Sequence, residues 1–218
     1  IPGPLAVNTV LLQKMEYDPF KELAPITVVA ASPNFLVVDP KLNVSTLAEF
    51  IAAAKSQPGK LNYGSVGNGS ASHLTMELLK QLSGIDVVHV PYPGSPQVTT
   101  AILNGQIAGG FIVPATAMAL VQAGRLKALG ATTTTRSVVL PEMPTVAEQG
   151  FPGFHSTAWL AMIAPAKTPD RVVRRLSEEL VAIIRSDDVR RRLIAIYFQP
   201  VGTAPEALRI LMREEADR

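Results

Sequence analysis

Apolar and polar positions follow two interleaved rhythms along this chain. Between positions 46 and 130, apolar runs of strand length alternate with stretches whose apolar residues recur every three or four positions. That alternation predicts a mostly parallel sheet with covering helices. Thr46 and Glu49 have the spacing of a capping box, and Leu47, Phe50, Ile51 and Ala54 then share one helical face before Pro58-Gly59 ends it. A short strand over 61–63 runs into Gly64-Ser65-Val66-Gly67-Asn68-Gly69-Ser70. The following helix carries Ala71, Leu74, Leu78 and Leu82 as a stripe and stops at Gly84.

The pattern then repeats. Residues 85–90 predict a buried strand, Pro91-Tyr92-Pro93-Gly94 a turn, and Ser95-Pro96 an N-cap with proline at the first helical position. Asn104-Gly105 closes that helix. A third strand over 106–113 meets Pro114 and a helix running to Gly124, and 126–131 reads as a fourth strand. Two apolar segments, 26–31 and 157–164, bracket this unit and read as crossover strands. Beyond them Thr168-Pro169 caps a helix using Val172, Val173, Leu176, Leu180 and Ile183, and Thr203 with Glu206 caps the last one. Residues 1–25 and 160–218 then form a first domain, and residues 26–159 an inserted α/β domain that carries the glycine-rich loop.

Ligands of such sheets bind at the carboxyl ends of the strands. The loops at 64–70, 91–95 and 113–115 therefore gather at one edge, with three helix starts facing one crevice. Glycines let the backbone approach a ligand closely, and unpaired first-turn N–H groups together with the helix dipole favour an anion. From position 61 to 124 the sole cation is Lys80. That scarcity argues against polyphosphates and nucleic acids, whose sites add lysine, arginine or a metal ligand. It suits a small mono- or dicarboxylate held by amides and hydroxyls.

Composition removes further chemistries. The chain has 218 residues, no cysteine and a formal charge of +2, so disulfides, thiol catalysis and cysteine-held metals are excluded. His73, His89 and His155 are the only histidines, and their separate places in a helix turn, a strand and a strand edge do not predict a metal centre or a catalytic triad. No cofactor is expected. The Gly67-Asn68-Gly69 element lacks the third glycine of a dinucleotide fingerprint, Ser72 standing in its place, and no Gly-x-Ser-x-Gly elbow surrounds Ser65, Ser70 or Ser72. No run is long enough to span a membrane, and Ile1-Pro2-Gly3-Pro4 lacks the features of a signal peptide. Trp159, the one tryptophan, is expected in a core.

Several blocks resemble the Bug-type extracytoplasmic solute receptors, the binding proteins of tripartite tricarboxylate transporters. They are Tyr17 to Thr27, Leu61 to Leu74, Val87 to Ser95, Ala123 to Leu129 and Leu140 to Glu148. The resemblance implies an α/β fold of the type II periplasmic-binding-protein class, two domains joined by crossover strands and closing by hinge motion on a small carboxylate. It implies a periplasmic location, delivery to membrane permease subunits and no catalytic role. Carried onto this chain, the ligand-binding positions are Gly64, Ser65, Gly67, Asn68, Ser70 and His73 in the first loop, with Tyr92, Gly94 and Ser95 in the next. The family's acidic residue after the third-strand phenylalanine is replaced, since Phe111 precedes Ile112, Val113 and Pro114. The family's first strand and first glycine-rich loop have no counterpart either. The first domain is therefore expected to be incomplete, and the chain to bind ligand weakly or not at all by itself and to self-associate through the exposed apolar surface of that domain. Two other readings share this frame: an enzyme acting on a carboxylate, and the ligand-sensing domain of a regulator.

Overall fold

The computed structural model describes Leu5, Ala6, Thr9, residues 15–137 and residues 140–217. Among them run eight strands: β1 (Leu23–Pro33), β2 (Phe35–Val38), β3 (Asn62–Ser65), β4 (Val88–Pro91), β5 (Gly109–Ile112), β6 (Lys127–Ala131), β7 (Thr157–Pro165) and β8 (Gln199–Pro200). The chain divides into two compact units, Pro33–Thr157 and the paired segments Ile1–Ser32 and Ala158–Arg218.

The larger unit is built on a sheet of order β4-β3-β5-β2-β6. β3 pairs in parallel with β4 and β5, as the alternation of strands and helices requires. β2 is antiparallel to both β5 and β6, so the sheet is mixed. β2, a run of four apolar residues without alternation, has no counterpart among the strands expected from the sequence, although such a run suits a strand buried on both faces. Every one of the four is buried. Leu36, Phe50, Tyr63, Met76, Phe111 and Phe154 belong to one core, with the Phe111 and Phe154 rings stacked at 6.3 Å. Burying each such side chain contributes about 1.5–3 kcal/mol.

The helix Leu47–Ser56 begins as its capping signal requires. Thr46 accepts from the Glu49 N–H at 3.1 Å, and Glu49 reaches back to the N–H of Ser45. Leu47, Phe50 and Ala54 are buried. The next helix, Ala71–Ser83, starts at Ser70 and ends at Gly84 in the left-handed conformation (φ 69°). Its buried face is Ser72, Thr75, Met76, Leu79 and Ser83, not the predicted Ala71, Leu74, Leu78 and Leu82. Leu82 is exposed. The hydroxyls of Thr75 and Ser83 bond back to the carbonyls of Ala71 and Leu79. Once satisfied in this way they bury readily, and a reading that ranks them as polar rotates the face.

Other boundaries shift for local reasons. β3 extends through Gly64 and Ser65, so the loop proper starts at Val66. β4 spans Val88–Pro91 rather than 85–90 and lies at the sheet edge, which leaves Val88 exposed although Ile85 and Val87 are buried. The third strand shortens to Gly109–Ile112 and the fourth to Lys127–Ala131. The helix Ser95–Leu103 takes Gly94 as its N-cap, so Ser95 is the first helical residue and Pro96 the second.

The smaller unit contains a three-stranded sheet of order β7-β1-β8, with Ala30 opposite Pro200 in an antiparallel pair. Val28, Trp159, Leu208 and Met212 form its core. The helix Asp170–Arg185 starts after Pro169 with no side-chain cap from the predicted Thr168. It buries Ser177 and Ile184, whereas Val172, Leu176 and Ile183 of the predicted stripe are exposed. Leu160, Met162 and Ile163 of β7 are exposed as well. Thr203 does not cap the last helix, Pro205–Asp217; its hydroxyl accepts from the Val28 N–H at 3.0 Å.

Candidate functional site

Parallel pairing of β3, β4 and β5 puts their carboxyl ends at one edge of the sheet, and each is followed by a helix. Three helix starts are thereby brought to that edge. The first is capped by the Ser70 hydroxyl, which accepts from the His73 N–H at 3.3 Å. The helices Ser95–Leu103 and Pro114–Gln122 have no side-chain cap. Ala71, Ser72, Ser95 and Ala115 stand in first turns, where an N–H has no acceptor within its own helix.

The glycine loop is internally braced. The Ser65 hydroxyl, fully buried, donates to the Gly67 carbonyl at 3.1 Å and accepts from the Gly67 N–H at 3.1 Å. The Ser70 hydroxyl donates to the same carbonyl at 2.7 Å. Ser72 accepts from the Val66 N–H at 3.1 Å. Gly67 sits at φ 110° with open space where a Cβ would lie, so a side chain there is excluded by backbone conformation and not by crowding. Asn68 is exposed at the tip.

The first two loops meet. The Tyr92 N–H donates to the Ser65 carbonyl at 2.8 Å, and a Cβ at Gly64 would lie 3.3 Å from the Tyr92 ring. The same Cβ would lie 2.5 Å from Ile107 Cδ1, so Gly64 serves close packing beneath the loop. Gly94 and Ser95 occupy the next helix start, and among the described residues no side-chain hydrogen bond ties them to residues 66–70. Ser70→Ala removes both the cap and the bond to Gly67. We expect it to lower stability by about 1–2 kcal/mol, read as a lower urea midpoint at unchanged slope.

Behind the loop lies a titratable cluster in which spacing alone gave no reason to include His89. The His73 and His89 rings are 4.2 Å apart, His89 stacks on Tyr63 at 5.0 Å, and His89 Nε2 lies 2.6 Å from Ser65 Oγ. The Gly69 N–H donates to His73 Nδ1 at 3.2 Å. The Tyr63 hydroxyl donates to Glu77 at 2.6 Å, and Lys80 pairs with the same carboxylate at 2.9 Å. Burial pushes the Tyr63 hydroxyl strongly up, reinforced by Glu77. Burial alone would raise the Glu77 carboxyl, but the Tyr63 hydroxyl and the Lys80 ammonium hold it below its usual value. Burial lowers both histidines, with His73 adding to the effect at His89 and Glu77 opposing it at each. Lys80, the one cation between positions 61 and 124, is thus already paired. The signal for the cluster was Glu77, one helical turn beyond His73.

Among the described residues no three His, Asp or Glu side chains converge where a metal could sit. No described helix is long and apolar enough to cross a membrane.

A mixed α/β fold with helix starts gathered at the strand ends places the chain in the periplasmic-binding class. Solved structures agree. A Rhodopseudomonas palustris protein, Rpa4515 with adipate, superposes with a TM-score of 0.94 at 32% identity, over 100% of this chain and 73% of that one. MatC from Rhodopseudomonas palustris, with bound malate, gives 0.90 at 29% identity, over 100% and 75%. Residues 3–218 match the tripartite tricarboxylate transporter family receptor model, and the chain belongs to that family. BugT of Bordetella pertussis is 30% identical over 216 residues, which are 99% of this chain and 66% of BugT. The chain spans about two thirds of the length of the curated relatives it matches.

Proposed function

We propose that the protein is a solute receptor rather than an enzyme, and that the edge of the larger unit's sheet captures a small mono- or dicarboxylate. The observation that carries this reading is the convergence of first-turn amides at 71–72, 95 and 115 on an edge whose nearby cation, Lys80, is engaged by Glu77. Dipoles and amides that meet an anion without a formal positive partner give moderate, reversible binding, which is what a carrier that must release its cargo requires. Gly64, Ser65, Gly67, Asn68, Ser70, His73, Tyr92, Gly94 and Ser95 build the site, with Gly64, Ser65 and His73 supporting the loop from beneath and behind. Adipate and malate in the solved relatives are carboxylates of this class. Membership of the family supports two further parts of this proposal, delivery to membrane permease subunits and a periplasmic location.

The test is a titration of the nitrogen-15-labelled chain with adipate and with malate, followed by amide chemical shifts. The expected result is saturable shifts confined to residues 64–73, 92–97 and 113–116. Movement elsewhere, or none at millimolar acid, overturns the reading.

A further inference from the structure

The start of the glycine-loop helix is a capping box with an unusual fourth residue. In the ordinary box the third helical residue is Glu or Gln, whose side chain reaches back to the N–H of the N-cap. Here that position is His73. The Ser70 N–H is taken by the Gly67 carbonyl, and the reach falls one residue earlier, as it does for Glu49 and the Ser45 N–H. The His73 N–H bonds to Ser70 Oγ at 3.3 Å, and its Nδ1 accepts from the Gly69 N–H at 3.2 Å. An imidazole nitrogen accepts only when it carries no proton. The box therefore closes with a neutral ring and is broken by a charged one, which would set two donors face to face.

We propose that His73 is a positioning residue for the loop amides, acting through the Gly69 bond and not on the ligand, and that its protonation unlatches the loop. The inference rests on the reading of that loop as a carboxylate site and adds its regulation. The surroundings fix the sign. The groups facing His73 are Glu77 and Lys80 from its own helix and His89 from β4, with Tyr63 of β3 behind His89. Glu77 favours the charged ring, but its carboxylate already bonds to Tyr63 and Lys80. Burial and the Lys80 ammonium oppose the proton, and the His89 ring 4.2 Å away is a second group that cannot charge beside it without cost. The ordinary value for the ring is 6.5, and the latched ring lies below it. Latching is therefore at full strength above that ordinary value and is lost as the pH falls through the lower value of the latched ring.

A further consequence separates this role from direct ligand contact. A cationic histidine touching a carboxylate would tighten binding in acid, whereas an unlatched loop loosens it.

The experiment is amide hydrogen exchange at Gly69 in the ligand-free full chain, corrected for intrinsic rates, at mildly alkaline and mildly acidic pH. Wild type is expected to lose protection about tenfold on acidification, the loss of roughly one buried hydrogen bond. His73→Gln keeps an acceptor that does not titrate and that can reach the N–H one place before the cap, as Glu49 does at Ser45, so its protection should match wild type in alkali and stay flat in acid. Protection in wild type that is unchanged by acid overturns the proposal, as does acid release that persists in His73→Gln. An adipate titration of the same two proteins, read at the loop amides in alkali, is a separate arm. Silence there in both removes the carboxylate reading while the exchange data alone judge the latch.

Discussion

Gly110→Ala is expected to destabilise the larger unit by about 2–4 kcal/mol, a loss at the upper end of what overpacking produces. A Cβ at this position would stand 2.5 Å from the Gly64 carbonyl oxygen, and at the neighbouring Gly109 it would stand 2.6 Å from the Val37 oxygen. Both obstacles are backbone, so no rotamer change relieves them. The strands must part instead. β5 lies at the middle of the five-stranded sheet, between β3 and β2, and its separation from β3 would also shift the start of the glycine loop. Gly124→Ala provides the contrast: its Cβ meets nothing within 4 Å, and only the φ of 68° resists, at about 1 kcal/mol. Urea unfolding of the two variants decides the matter. Equal midpoints would mean that the sheet adjusts to a methyl group at no greater cost than a surface turn does.

Asn68→Asp should weaken carboxylate binding about tenfold or more, while leaving the fold intact. The side chain is exposed at the loop tip, and the change adds one negative charge without altering shape. Two unit charges about 5 Å apart repel by roughly 1–3 kcal/mol at the effective dielectric of a protein surface. The effect must also shrink as salt is raised. Affinity is read from the loop-amide titration with adipate. A variant that binds as well as wild type at low salt would show that the anion does not approach the tip.

Parts of this architecture can be read from single residues, and other parts cannot. The Thr46 cap, the Ser70 start and the left-handed Gly84 stop are local, because each bond joins residues a turn or less apart. The strand-to-helix order that puts three helix starts at one edge is nearly as local, since parallel strands demand crossovers. Three features depend on distant partners and left no such mark. β2 is a strand only because β5 and β6 flank it, and its neighbours are more than 70 residues away in sequence. The exposure of Val88 follows from the edge position of β4, which no pattern within 85–91 encodes. The histidine pair is equally non-local, for His73 opens a helix and His89 sits on a strand, and only the packing of that helix against the sheet brings their rings together. Ser72 and Thr75 mislead for another reason. Their hydroxyls are buried because a carbonyl, an amide or a second hydroxyl waits for each, and a polarity scale does not know the partner in advance.

Trp159, 3% exposed in the core of the smaller unit, has an optical consequence. As the one indole of the chain, it makes emission near its blue limit a private gauge of that unit's melting. Tyr63, buried in the larger unit, supplies a separate marker through its assigned ring resonances. Heating the protein while recording both signals reveals directly whether the two bodies come apart in one transition or in succession.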